Sequence, residues 1–140
     1  MYKILFVDDE PSLLRIYQEE FSEEGYGVLL APNGKEALDI LARETPHLVV
    51  LDIRMPTMDG VEALVAMMGK NRTLPVILHS AHPEYRENFL TRGAEAFIQK
   101  SRDLAPLKKM IRELLEKAEK RGTSGEKTQD KTKRKAAKRI

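Results

Sequence analysis

The chain has 140 residues, 41% of them apolar and 33% charged, with a formal net charge of +2 and no cysteine. That length predicts one domain with a core of ordinary size, and the absence of cysteine excludes disulfides and thiolate metal sites. The charge is uneven: residues 121–140 carry a net +6, which leaves the first 120 at about −4, so the globular part gives no ground for nucleic-acid binding.

Met1-Tyr2-Lys3 leads into Ile4-Leu5-Phe6-Val7, a short buried strand that stops at Asp8. The run is too short for a signal-peptide core, and no apolar run approaches membrane-spanning length, so a cytoplasmic location is expected. Asp8-Asp9-Glu10-Pro11 is helix-start chemistry, and Leu13, Leu14, Tyr17 and Phe21 keep helical spacing as far as Gly25. Val28 to Ala31 reads as a second strand. Asn33-Gly34 turns the chain into a second helix faced by Ala37, Leu38 and Leu41, which Thr45-Pro46 ends.

Leu48-Val49-Val50-Leu51 is a strand buried on both faces, with Asp52 at its tip. Pro56 blocks a continuing ladder, and Asp59-Gly60 opens a third helix striped by Val61, Leu64, Val65 and Met68. Val76-Ile77-Leu78 is a fourth strand, followed by His79-Ser80-Ala81. Pro83 starts a fourth helix carrying Tyr85 and Phe89, closed by Gly93. Ala94 to Gln99 is a fifth strand and Lys100 follows it. Asp103 caps a last helix in which Leu104, Leu107, Ile111, Leu114, Leu115 and Ala118 share a face, with Pro106 in the first turn. Beyond about Lys120 the stripe stops. Gly122-Thr123-Ser124-Gly125 is linker-like, and a basic, disordered tail over 121–140 is expected after a domain over 1–120.

Apolar strands alternating with helices predict an α/β fold: a doubly wound, five-stranded parallel sheet with five helices. Ligands bind such sheets outside the carboxyl ends of the strands. The residues that follow the strands there are Asp8 and Asp9, Asp52, Ser80 and Lys100. If the strand order is 2-1-3-4-5, the three carboxylates face each other. Their repulsion calls for a hard divalent cation, and Mg2+ accepts such ligands. Asp52 could then attack phosphorus to give an acyl phosphate, with Lys100 and the Ser80 hydroxyl holding the remaining oxygens. Taken singly, each residue has a plainer reading: Asp9 as a helix cap, Asp52 as a satisfied structural acid, Ser80 as a loop serine, Lys100 as a solvated lysine and Phe97 as core. His79 and His82 read as incidental rather than as a metal pair.

Together the motifs resemble the receiver domain of two-component response regulators, of the chemotaxis-regulator, stand-alone kind. The resemblance rests on Ile4 to Glu10, Asp52 to Gly60, His79-Ser80-Ala81 and Gly93 to Lys100, and covers roughly residues 2 to 118. It implies the flavodoxin-like order 2-1-3-4-5. It implies Asp52 as phosphoacceptor, Asp9 as a direct and Asp8 as a water-mediated Mg2+ ligand, and the main-chain carbonyl of Arg54 as a further ligand. It also implies Ser80 as the switching hydroxyl, Lys100 as the conserved lysine and Phe97 as the aromatic that follows Ser80. The family usually has proline after the lysine. Here Ser101 stands there, so a trans Lys100–Ser101 bond, or a strained one, and an adjusted loop are expected.

The function so implied is phosphoryl acceptance from a sensor histidine kinase or phosphotransfer protein, with a downstream protein partner. Catalysis is confined to the chain's own phosphorylation and dephosphorylation. Three other readings stand beside it: a phosphorylation-independent interaction module, a tail that binds nucleic acid or acidic membrane electrostatically, and a metal-dependent phosphatase.

Overall fold

The computed structural model describes residues 1–52, 60–70, 73–91 and 93–126. The chain divides at Leu107 into two units, and the strands, the core and the polar edge described below lie in the first. Its strands are β1 (Lys3–Val7), β2 (Gly27–Ala31), β3 (Leu48–Leu51), β4 (Val76–Ser80) and β5 (Ala96–Gln99). They form one parallel sheet in the order β2-β1-β3-β4-β5. Helices α1 (Pro11–Glu23), α2 (Gly34–Arg43), α3 (Gly60–Lys70), α4 (Arg86–Thr91) and α5 (Ala105–Glu126) alternate with the strands. The doubly wound, flavodoxin-like reading holds.

Each element follows from its residues. All four residues of β3 are buried, as an unbroken apolar run on a central strand requires. Leu5, Val7, Val49, Leu51, Val76 and Leu78 pack on one face with Ala37, Ala63, Leu64 and Met67. On the other face Phe6 stacks on Tyr17 at 4.5 Å between ring centroids and meets Phe21 at 4.9 Å. Pro11 occupies the start of α1, where its missing N–H costs nothing. Asn33 caps α2 where the chain turns into it: its side chain accepts a hydrogen bond from the Glu36 N–H at 2.9 Å. Pro83–Tyr85 form a 3-10 turn that leads into α4, which therefore begins at Arg86.

Three expectations change. Val65 is 54% exposed, because the buried face of α3 is set by Ala63, Leu64 and Met67, one helical turn apart. Ala118 is exposed, three residues past the buried Leu115 of α5. α5 also runs through Gly122 and Gly125 to Glu126, where the sequence predicts a linker. Extending an existing helix adds one backbone bond per residue, so a helix outlasts its apolar stripe. Residues 127–140, the rest of the basic tail, lie outside the described residues. Among the described residues no helix is long and apolar enough to cross a membrane.

Candidate functional site: the carboxyl edge of the sheet

Strand register builds the site. Val7 on β1 pairs with Leu51 on β3, so the next residue on each strand, Asp8 and Asp52, leaves the same sheet edge side by side. Backbone bonds fix both: the Asp8 N–H donates to the Ala31 carbonyl at 3.0 Å and the Asp52 N–H to the Val7 carbonyl at 2.9 Å. Asp8 is 1% and Asp52 4% exposed, whereas Asp9 is at the surface. One carboxylate oxygen from each of Asp8, Asp9 and Asp52 lies within 4.8 Å of the others.

Lys100 enters from the end of β5. Its N–H donates to the Ser80 carbonyl at 2.8 Å, which ties it to the end of β4. Its Nζ lies 2.9 Å from Asp8 Oδ2 and 3.1 Å from Asp52 Oδ2. Ser101 in place of proline therefore does not keep the ammonium from the acids. The loop after it is held by the Ser101 hydroxyl donating to the Asp103 carbonyl at 3.0 Å, and by Asp103 Oδ1 accepting from the Ala105 N–H at 2.9 Å.

Two buried acids share one cation, and their charges do not balance. Burial pushes Asp8 up to about 6 against the pull of the Lys100 ammonium, and the Asp52 charge adds to the rise. Burial alone would lower Lys100, but its contact with Asp8 and the charges of both acids outweigh it and raise it, so it stays an ammonium. Among the described residues Asp8 Oδ2 accepts no well-directed hydrogen bond despite its ion pair with Lys100. An under-satisfied buried carboxylate beside two others is an all-oxygen, hard donor set. It fits Mg2+, with Asp8, Asp9 and Asp52 as the residues to hold it. The Arg54 carbonyl lies outside the described residues.

Ser80 is fully buried at the end of β4, and its Oγ accepts a hydrogen bond from the His82 N–H at 3.1 Å. Phe97 pairs with Leu78 in the sheet, is partly buried and packs on the core. Residues 78, 80 and 97 share a sheet face, so Phe97 lies on the side of the sheet from which Ser80 projects.

Two features escape sequence reasoning. Glu10 Oε1 lies 3.5 Å from Lys100 Nζ, a fourth carboxylate at the rim whose only sequence signal is its place beside the acid pair. His79 turns to the other face, 3% exposed, where its Nδ1 meets the Tyr17 hydroxyl at 2.5 Å. Burial lowers His79 to about 4; the Lys100 charge lowers it further and Asp52 opposes. His79 is thus a neutral partner of Tyr17. Among the described residues the only candidate cluster for a metal is the aspartate set, without His79 or His82.

The family model for the response regulator receiver domain matches residues 4–112. The probable transcriptional regulator ycf27 of Porphyridium aerugineum is 38% identical over 120 residues, covering 84% of this chain and 50% of that protein. The chain spans about half the length of such curated relatives. Among solved structures, the response regulator protein TrrA of Thermotoga maritima, in complex with Mg2+-BeF, is similar at 36% identity and a TM-score of 0.77, over 81% of this chain and 99% of that one. The same regulator in complex with the histidine kinase ThkA gives 36% and 0.76 over 82% and 99%. Sequence, strand order and the polar edge agree, and the chain belongs to the family of two-component response regulator receiver domains.

Proposed function

We propose that Asp52 accepts a phosphoryl group from a phosphohistidine of a sensor histidine kinase or a phosphotransfer protein, in the cytoplasm. One observation carries this reading: a buried Asp52 that shares Lys100 with Asp8, on an edge where three carboxylates converge within 4.8 Å. An Asp52 carboxylate oxygen attacks phosphorus, an O–P bond forms and the N–P bond breaks. The imidazole leaves with that electron pair and takes a proton from water. When bound by Asp8, Asp9 and Asp52, Mg2+ supplies charge neutralisation for the phosphoryl oxygens.

The chain's own residues do the rest. The Asp52 backbone is held by its N–H on the Val7 carbonyl, and Lys100 Nζ contacts its carboxylate at 3.1 Å. Lys100 stays charged beside it and meets the added negative charge. The Ser80 hydroxyl exchanges its bond from the His82 N–H for one to a phosphoryl oxygen, and Phe97 follows on the same face. The rearrangement reaches α4, β5 and the start of α5, the surface offered to a downstream protein. Water later hydrolyses the acyl phosphate. The chain turns over no external substrate, and its only catalysis is its own phosphorylation and its reversal.

Titration with beryllofluoride and Mg2+, followed by amide NMR, tests this reading. Large shifts at Asp52, Ser80, Phe97 and Lys100 are expected only when both are present. Shifts that need no Mg2+, or that spare Ser80 and Phe97, contradict it.

A further inference from the structure

Glu10 caps the start of α1 with its backbone and sends its side chain elsewhere. It precedes Pro11, and the Leu13 and Leu14 N–H groups each donate to its carbonyl at 3.1 Å. A polar side chain at such a position can accept from an N–H of the first helical turn. That of Glu10 makes no such bond. It reaches across to the residue after β5, where Lys100 Nζ donates to its Oε1 at 3.5 Å. The Glu10 N–H donates to Asp8 Oδ1 at 3.0 Å, and the other oxygen of Asp8 meets Lys100. Glu10, Asp8 and Lys100 thus close a ring at the rim of the acidic edge.

An ammonium has three N–H donors, and Lys100 has three carboxylates around it. The three are not equivalent. Asp8 and Asp52 are buried and belong to the set that fits a divalent cation, whereas the Glu10 side chain is 60% exposed and lies outside that set. Its contact with Lys100 is also the longest of the three, so it is the one most readily given up. In the reading above, Lys100 is the group that meets the charge of an incoming phosphoryl group. A phosphoryl oxygen and the Glu10 carboxylate then compete for one ammonium, and their negative charges repel. Resting on that reading, we propose that Glu10 is a positioning residue that regulates the same site. It holds Lys100 at the rim while Asp52 is free, and its charge opposes capture of the phosphoryl anion. It acts through Lys100 and takes no part in the bond changes at Asp52.

Beryllofluoride, an anion that stands in for the phosphoryl group, tests the proposal on the full chain at saturating Mg2+, with the Ser80 and Phe97 amide signals as the readout. Glu10→Gln is expected to bind it about threefold to tenfold more tightly than the parent at low salt. The gain should shrink towards none at about 0.5 M salt, because an exposed charge is screened. Glu10→Asp keeps the charge and should stay within about twofold of the parent. Without divalent cations the urea midpoint of Glu10→Gln should match the parent's, since an exposed partner adds little stability and the Glu10 N–H bond to Asp8 is kept. Four results overturn the proposal and leave phosphoryl acceptance at Asp52 standing: equal affinity of parent and Glu10→Gln, a gain that does not change with salt, Glu10→Asp binding as tightly as Glu10→Gln, or a lowered midpoint. A parent chain that binds no beryllofluoride overturns phosphoryl acceptance and this proposal with it.

Discussion

Lys100 Nζ stands 2.9 Å from Oδ2 of Asp8, an oxygen buried almost completely. One ammonium thus holds the two buried acids of the site, since Asp52 Oδ2 lies 3.1 Å from the same nitrogen. Removing that cation leaves two buried carboxylates without their counter-ion. Lys100→Met is expected to cost about 2 kcal/mol in urea unfolding at pH 7 without divalent cations, because Asp8 recovers part of the loss by taking a proton. Added Mg2+ should restore part of the stability. An unchanged midpoint would show that the ion pair carries no weight.

Asp8 sets a pH dependence of its own. Burial raises it to about 6 from an ordinary 3.8, with the Lys100 ammonium opposing and the Asp52 charge adding. The folded chain therefore binds this proton more tightly than the unfolded chain. Stability from Asp8 falls as pH rises from about 4 to about 6, and ionised Asp8 is a cost above that window. Asp8→Asn should be more stable than the parent by about 1–2 kcal/mol at pH 7, with the difference vanishing near pH 4. A gap that does not change with pH would contradict the assignment. Mg2+ affinity should weaken as pH falls below about 6, because the metal needs the carboxylate.

His79 acts with the opposite sign. Burial lowers it to about 4, with Lys100 adding to the effect and Asp52 opposing. Its contribution is fully present above about 6.5, the unfolded value, and is lost as pH falls to about 4. His79→Phe should flatten that acid limb. Tyr17→Phe removes the one bond to Nδ1 and should cost about 1–2 kcal/mol at pH 7. Chemical denaturation of both variants from pH 4 to 7 checks the pair, and an acid limb unchanged in His79→Phe counts against it.

Two glycines near the α3–α4 side of the fold should behave in opposite ways. Gly93 has φ 114°, and a Cβ there would collide with Cε of Met68. Gly69 lies in α3 with nothing near a Cβ. Gly93→Ala should destabilise by about 2 kcal/mol or more, and Gly69→Ala should stabilise by up to about 1 kcal/mol. Thermal melts of the two variants would refute this reading if they moved in the same direction.

The features legible in the sequence were those with a local cause. Val7-Asp8 and Leu51-Asp52 show an apolar strand ending at an acid, and parallel pairing then brings such ends together whatever the side chains between them. Lys100 was legible in the same way, at the end of a strand. The Tyr17–His79 bond was not, because it joins residues 62 positions apart and its only local trace is a histidine in an apolar run. Val65 departs from the predicted stripe because a helix stripe set by a few apolar residues leaves its centre free by one position. α5 outruns its predicted end because Gly122 and Gly125 weaken a helix without stopping one already formed.

The most direct test of the account is intact mass after incubation with Mg2+ and acetyl phosphate. The parent chain should gain the mass of one phosphoryl group, lose it on addition of hydroxylamine, and gain nothing when Mg2+ is chelated. Asp52→Asn, correctly folded by amide NMR, should gain nothing. A phosphoryl adduct of equal yield on Asp52→Asn would place the acceptor elsewhere and contradict the account.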